Sequence, residues 1–247
     1  MGEVHFSVKD HVALIVLDNQ KKRNAVDAPM REGLEKAYQQ VINDDQIRVA
    51  VITGAGDKAF SSGGDISAYS EGGVFGPGAN PLPPIPRPWP IWKPFIAAIQ
   101  GYAVGGGFAL ALSCDLRVVG ENALIGPSGL RRGAVQGAQQ SQRLTRLIGM
   151  SKATELLLLS KYVDGQEAAK IGLAQVCVEN NKVLEQAMEW ANTIAGYSPW
   201  AVQKTKQLIY EGFNMPLEEA FAWEAELTKE GYQREDALEG FSEFLKK

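Results

Sequence analysis

Apolar residues in the first half of the chain come in short runs that predict β-strands. Residues 4–8 and 12–17 predict a hairpin that opens the fold. Residues 49–53 and 95–99 are apolar without interruption, which is typical of strands buried on both faces of a sheet. Residues 116–120 predict one further strand.

Helical periodicity begins after residue 27 and dominates the second half of the chain. Asp27 is a predicted N-cap, and the apolar positions between it and Asn43 lie on one helical face. Further helices are predicted at residues 108–113, 138–147, 151–160, 166–171, 183–195, 201–210, 216–230 and 235–245, with a short strand at 175–178. The last helices carry many apolar residues, among them Phe213, Leu217, Phe221, Trp223 and Leu227. Because a solvated tail does not need them, they predict a layer that is packed or faces another subunit.

A glycine-rich turn at residues 101–107 runs directly into the predicted helix 108–113. Its three consecutive glycines, Gly105 to Gly107, let the backbone approach a ligand closely. They lie where the unpaired N–H groups of a helix start would point, which suits an anion or a developing oxyanion. Tight packing of a buried helix is the alternative explanation. Residues 60–65 contain a second such turn, predicted to expose backbone N–H groups before a helix at Ile66.

Residues 54–59 follow a predicted strand and formally match the dinucleotide-binding pattern G-x-G-x-x-G/A. The pattern requires a helix immediately afterwards and an acidic residue about 20 positions on. Residues 60–65 are poor helix formers, and the acidic strand end is absent. The match is therefore a weak indication of a nicotinamide cofactor.

Residues 71–94 are dense in proline and glycine, so they predict an irregular or polyproline-like loop. Trp89 and Trp92 are interleaved with the prolines. Two interpretations stay open for them: they pin the loop to the core, or they line a pocket.

The composition and net charge of the chain indicate which kinds of binding partner to expect. The 247 residues carry a formal net charge of -4, and no face is rich in lysine and arginine, so neither nucleic acid nor an anionic membrane is expected as a partner. No apolar run approaches the length of a membrane span, and the opening residues do not resemble a secretion signal. The two cysteines, Cys114 and Cys177, lack metal-ligand spacing. We expect a cytoplasmic protein that acts on a small molecule and holds no metal.

Several motifs occur together in a characteristic order. They are Asn24-Ala25, Ala59-Phe-Ser-Ser-Gly-Gly-Asp-Ile66, Lys93-Pro94, Ile96-Ala-Ala-Ile-Gln-Gly-Tyr-Ala-Val-Gly-Gly-Gly107, Cys114-Asp115, Ser141-Gln-Arg-Leu144, Asp164-Gly-Gln-Glu-Ala-Ala168 and Gly172-Leu173. With these motifs the chain resembles the crotonase superfamily of enoyl-CoA hydratases and isomerases over nearly its whole length.

The resemblance implies an α/β fold, a crotonase-like spiral of repeated ββα units with a C-terminal helical trimerisation region. On this basis residues 1–195 would form the core with the acyl-CoA site, and residues 196–247 the oligomerisation region. It implies a homotrimer or a dimer of trimers. The ligand would be an acyl-CoA thioester, with CoA as part of the substrate and no separate cofactor.

The resemblance also assigns site residues. The two backbone N–H groups that polarise the thioester carbonyl would belong to Ser62 and Gly106, which would be the catalytic residues. Arg23 is a candidate for the CoA phosphates. The other expected substrate-binding residues are Asn24, Ala25, Ala59, Ser61, Gly63, Gly64, Asp65, Ile66, Gly105, Ala109, Ser128 and Gly129.

The chain departs from the family at the acid–base positions. Ala109 and Gly129 stand where hydratases of the family carry two glutamates, and neither can move a proton. The acidic position that other relatives use, near Gln136 and Gly137, is also empty. Both histidines lie in the opening hairpin, which disfavours a Ser/His/Asp hydrolase.

Several substitutes remain open. Candidate side chains are Tyr69, Glu71, Ser128, Arg131, Arg132, Gln136, Gln139 and Gln140. A water or small anion in the space left at Gly129 is another possibility. Three functions follow: an enzyme that stabilises a thioester enolate for a reaction other than simple hydration, a non-catalytic acyl-CoA binder, and, weakly, a nicotinamide-dependent enzyme.

Overall fold

A computed structural model describes residues 1–65 and 91–246. The expectations for Ile66, Tyr69, Glu71 and Trp89 lie outside the described residues. The strands are β1 (Glu3–Lys9), β2 (Val12–Asp18), β3 (Val49–Gly54), β4 (Ala59–Ser61), β5 (Phe95–Ile99), β6 (Tyr102–Val104), β7 (Leu116–Gly120), β8 (Leu124–Gly126), β9 (Val163–Asp164) and β10 (Val176–Val178).

Nine α-helices fall within the described ranges. They are α1 (Ala28–Asn43), α2 (Gly106–Ser113), α3 (Gln140–Ile148), α4 (Met150–Leu158), α5 (Gly165–Lys170), α6 (Val183–Ala195), α7 (Pro199–Gly212), α8 (Leu217–Tyr232) and α9 (Glu235–Phe244). The predicted N-cap of α1 is confirmed, since the Asp27 carboxylate accepts the Met30 N–H at 3.1 Å. None of the helices described is both long enough and apolar enough to cross a membrane.

The main sheet has six strands in the order β1-β2-β3-β5-β7-β10, and every pair except β1–β2 is parallel. Alternate residues of its central strands face opposite layers. Val49 and Val51 of β3 pack with α6, whereas Ala50 and Ile52 join the core on the side of α1 and α2. The continuous apolar runs at 49–53 and 95–99 are therefore explained by burial on both faces, as predicted, and the fold is α/β.

A second sheet, in the order β4-β6-β8-β9, was not predicted from the sequence. Its strands are two or three residues long, too short to give a periodic pattern. Residues 60 and 61, predicted as part of a turn, belong to β4, and α2 begins at Gly106 rather than at residue 108. The interpretation of residues 54–59 as a dinucleotide motif is wrong in its geometry, because a strand and not a helix follows.

The short strands determine where the glycine turns lie. Strands β4 and β6 are adjacent and parallel, with Ala59 opposite Tyr102 and Ser61 opposite Ala103. Each strand is followed directly by one of the two glycine turns. Because the carboxyl ends of parallel neighbours meet at one edge of a sheet, both turns lie side by side there.

The C-terminal helices attach to the core through a buried ion pair. The Lys206 ammonium of α7 lies 2.8 Å from the Asp115 carboxylate and donates to the Lys93 carbonyl at 3.0 Å. Trp92, half-buried beside Lys93, lines a cavity with Pro199 and Trp200, so it packs near α7. Beyond this anchor, large apolar side chains of α7 to α9 are exposed, including Ile209, Phe213, Leu217, Phe221, Leu238, Phe241 and Phe244.

Candidate functional site

The two glycine turns approach each other too closely for side chains. A Cβ on Gly63 would stand 2.7 Å from the Gly106 nitrogen, and one on Gly107 would collide with the Ser61 carbonyl oxygen. Gly63 and Gly105 also have positive φ angles, +98° and +57°, which side chains rarely allow. Glycine at these positions therefore brings the two backbones into contact.

The backbone N–H groups of Gly64 and Gly106 are among those left unpaired at this contact within the described part of the chain. Gly106 is the first residue of α2, so it has no intrahelical acceptor. Around Gly64, Val26 donates to the Gly63 carbonyl and Asp65 donates to the Val26 carbonyl, a pairing that bypasses the Gly64 N–H.

The Ser62 amide, assigned to the oxyanion hole from the sequence, is engaged elsewhere. It donates to the Arg23 carbonyl at 3.0 Å. The expectation of a free Ser62 N–H is therefore wrong, and the exposed donor of this turn lies two residues later. The Gly106 assignment agrees with a free N–H group.

A groove of about 380 Å³ opens beside the Gly64 amide. Its walls are formed by Lys22, Arg23, Ala25, Ser62, Gly64, Asp65, Tyr102, Val104, Arg132 and Tyr162. The Lys22 ammonium lies 2.5 Å from the Asp65 carboxylate, and the Arg23 guanidinium lies 4.8 Å from the centre of the Tyr102 ring. The three cations that line this groove, Lys22, Arg23 and Arg132, favour an anionic or phosphate-bearing ligand.

Three residues expected to bind the substrate lie behind the groove wall instead. Asn24, Ala59 and Ser61 are buried. The Asn24 amide donates to the Ala59 carbonyl at 2.7 Å, and the Ser61 hydroxyl donates to the Asn24 carbonyl at 2.8 Å while accepting from the Gly63 N–H at 3.1 Å. Their side chains therefore support the turn that carries Gly64.

Sequence reasoning missed four groove residues, Lys22, Tyr102, Val104 and Tyr162. Tyr102 and Val104 lie on β6, which was interpreted as part of a glycine turn. Tyr162 enters the groove because it precedes β9, which pairs with β8. For Lys22, the run of three basic residues Lys21-Lys22-Arg23 is a signal that the sequence does contain.

The places of the two missing glutamates are closed. Ala109 is buried in α2. A Cβ on Gly129 would stand 2.9 Å from Gln136 Oε1 and 3.0 Å from the Ala134 carbonyl oxygen, and the Gly129 N–H already donates to Gln136 Oε1 at 3.0 Å. Because these neighbours are oxygen acceptors, the position beside Gly129 does not suit an anion, and that alternative is not supported.

Three of the other candidate side chains, those of Gln136, Arg131 and Gln139, make structural contacts. Gln136 Nε2 donates to the Ser160 hydroxyl at 3.1 Å, and Arg131 donates to the Ser160 carbonyl at 2.6 Å while its guanidinium covers the Tyr162 ring. Gln139 accepts from Arg143 at 3.0 Å. Asp65 is the one carboxylate among the described groove residues, and it is paired with Lys22.

The histidines lie outside this region, as predicted. His5 contacts Asp18 at 3.1 Å within the opening hairpin, and His11 contacts the Gln46 carbonyl at 2.7 Å. Within the described ranges, no cluster of three or more His, Cys, Asp or Glu residues could hold a metal.

Comparison with known proteins decides the family. The family model for enoyl-CoA hydratase/isomerase matches residues 7–247. The chain belongs to this family. It is 33% identical to a short-chain-enoyl-CoA hydratase of Clostridium acetobutylicum, with 100% of this chain and 96% of the relative covered. It is 35% identical to an (E)-benzylidenesuccinyl-CoA hydratase of Thauera aromatica, with 98% and 95% covered.

Solved structures support the same assignment for the fold of this enoyl-CoA hydratase/isomerase family member. A probable enoyl-CoA hydratase/isomerase from Mycobacterium abscessus has a TM-score of 0.91 at 33% identity, with 100% of this chain and 96% of that chain covered. An enoyl-CoA hydratase from Mycobacterium tuberculosis gives 0.90 at 31% identity, with 99% and 96% covered. The predicted crotonase-like α/β fold is confirmed.

Proposed function

We propose that this protein is an acyl-CoA-transforming enzyme that stabilises a thioester enolate with the backbone N–H groups of Gly64 and Gly106. The observation that carries the proposal is that these two amides are unpaired and lie on touching turns. When a thioester becomes an enolate, negative charge develops on its oxygen. Donors that are already oriented stabilise that charge without reorganisation.

The CoA part of the ligand fits the charged wall of the groove. Lys22, Arg23 and Arg132 supply positive charge there, and CoA carries several phosphates. The two relatives named above are, by their names, hydratases of CoA thioesters. In this proposal CoA arrives as part of the substrate, and the site needs no other cofactor.

The reaction differs from simple hydration in this proposal, because Ala109 and Gly129 supply neither acid nor base. Isomerisation, decarboxylation, carbon–carbon bond chemistry and an unusual hydration all pass through a stabilised enolate. The same substitutions also favour the second candidate, a non-catalytic acyl-CoA binder. Incubation with a panel of acyl-CoAs, followed by liquid chromatography to separate isomers and mass spectrometry, distinguishes the two, since only an enzyme changes the mass or the isomer composition.

We expect acyl-CoA thioesters to bind the purified protein, and titration calorimetry measures this. Crotonyl-CoA is expected to bind more tightly than CoA alone, because only the thioester offers a carbonyl oxygen to the two amides. NADH serves as a control ligand and is expected not to bind. No heat of binding with acyl-CoA at millimolar concentration would show that the site assignment is wrong.

We also propose that the chain assembles as a trimer or a dimer of trimers through residues 196–247. The exposed apolar side chains of α7 to α9, with Phe213, Leu217 and Phe221 each more than 60% exposed, support this proposal. Light scattering at micromolar concentration is expected to give the mass of three or six chains. A monomer under these conditions would contradict it.

We also propose that the protein is cytoplasmic. Cys114 and Cys177 are both free thiols, and burial raises the pKa of Cys114 to about 12, which keeps it unreactive. Free thiols suit a reducing compartment.

A further inference from the structure

The loop that follows β8 holds a serine hydroxyl against the start of α2. The Gly105 N–H donates to the Gly126 carbonyl at 3.2 Å, which ties this loop to the glycine turn. A Cβ on Gly105 would stand 2.7 Å from Ser128 Oγ. The hydroxyl therefore packs over Gly105, one residue before the Gly106 amide.

Hydrogen bonds to the backbone, and not to the hydroxyl, hold Ser128 in place. Its carbonyl accepts from Arg132 at 3.3 Å, and the N–H of the next residue, Gly129, donates to Gln136 Oε1 at 3.0 Å. These two contacts restrain the peptide unit that joins Ser128 to Gly129. Oγ itself has no hydrogen-bond partner within the described part of the chain.

The other buried serines of the described chain differ from Ser128 in this respect. Ser61 donates to the Asn24 carbonyl at 2.8 Å, Ser113 donates to the Ala109 carbonyl at 2.8 Å, and Ser160 accepts from Gln136 at 3.1 Å. Ser128 is as buried as a core residue, at 6% exposure. Because the hydroxyl of an enclosed serine is normally paired, an unpaired one packed over Gly105, next to the Gly106 amide, points to a ligand at that amide as its partner.

We propose that Ser128 is a catalytic residue whose hydroxyl donates a third hydrogen bond to the thioester oxygen as that oxygen gains negative charge. The inference rests on the proposed function, since it places the thioester at the Gly64 and Gly106 amides. A hydroxyl can donate without changing its protonation state. It adds stabilisation to the enolate at a site where Ala109 and Gly129 offer no acid or base.

The test uses acetoacetyl-CoA, a β-keto thioester that forms an enolate in water and absorbs differently in that form. The enolate fraction of the bound ligand is measured by ultraviolet difference spectroscopy as a function of pH. Each donor to the enolate oxygen lowers the apparent pKa of the bound ligand. For Ser128→Ala we expect this pKa to rise by about one to two, which is a 10- to 100-fold loss of enolate stabilisation, the range for a hydrogen bond to a charged group.

Two further variants distinguish loss of the Ser128 hydroxyl from a change in side-chain packing. Ser128→Thr keeps a hydroxyl and is expected to retain most of the enolate stabilisation, whereas Ser113→Ala removes a buried serine of α2 that is already paired and is expected to match the unmodified protein. An unchanged apparent pKa in Ser128→Ala, with acetoacetyl-CoA still bound, overturns the role of Ser128 alone. If the unmodified protein binds no acyl-CoA, the proposed function fails and this inference fails with it.

Discussion

Gly63→Ala is expected to lower acyl-CoA turnover by about 10²- to 10³-fold, the loss measured when one oxyanion-hole donor is removed. The new methyl group would stand 2.7 Å from the Gly106 nitrogen and 3.1 Å from the Val104 carbonyl oxygen. It would cover the Gly106 N–H or push the two turns apart. Gly63 also has a φ of +98°, a conformation that alanine adopts only with strain. Steady-state kinetics on a substrate identified by mass spectrometry measures the effect.

Gly133→Ala is the matched control for backbone strain. Gly133 has a φ of +71°, but a Cβ there would meet no atom within 4 Å. It carries a similar conformational cost without a collision. Its turnover is expected to stay within a few-fold of that of the unmodified protein. Its thermal stability is expected to fall by an amount similar to that of Gly63→Ala. Equal losses of turnover in the two variants would mean that strain, and not the covered amide, explains the result for Gly63→Ala.

The helices and strands predicted most accurately from the sequence are those with a long hydrophobic pattern and uniform burial. The bounds of β5 and of α6 agree with the predicted ranges 95–99 and 183–195. The second sheet was missed because its strands, two or three residues long, are too short to show a repeated hydrophobic pattern. Its consequence for the site is large, since β4 and β6 bring the two glycine turns together.

At the site, the motifs located the turns but not the donor within the first of them. The Ser62 amide pairs with the Arg23 carbonyl, a contact between segments distant in sequence. No local pattern encodes that pairing. It requires the left-handed backbone of Arg23 and Asn24, with φ angles of 54° and 53°, which turns the Arg23 carbonyl towards the second segment. Gln136 likewise blocks a side chain at position 129. The sequence alone does not determine the conformation of the Gln136 side chain.

Hydration of crotonyl-CoA is expected to be slow, well below the roughly 10 per second that is typical of enzymes. A hydratase mechanism needs one group to activate water and another to protonate the α carbon. Each positioned acid or base contributes on the order of 10²- to 10⁴-fold, whereas each oxyanion donor contributes about 10²- to 10³-fold. Without carboxylates at Ala109 and Gly129, the retained amides do not compensate for the loss.

Gln136 limits any attempt to restore hydration by placing glutamates at positions 109 and 129. Because a side chain at position 129 would meet Gln136 Oε1 at 2.9 Å, the double variant Ala109→Glu, Gly129→Glu is expected to remain slow. Adding Gln136→Ala removes the shortest of the contacts at that position and leaves the Ala134 carbonyl oxygen at 3.0 Å, and the triple variant is expected to hydrate crotonyl-CoA faster than the double variant. The absorbance of the enoyl thioester reports the rate in each case. Turnover by the unmodified chain at about 10 per second or more would contradict the prediction and would require an acid–base pair other than the residues considered above.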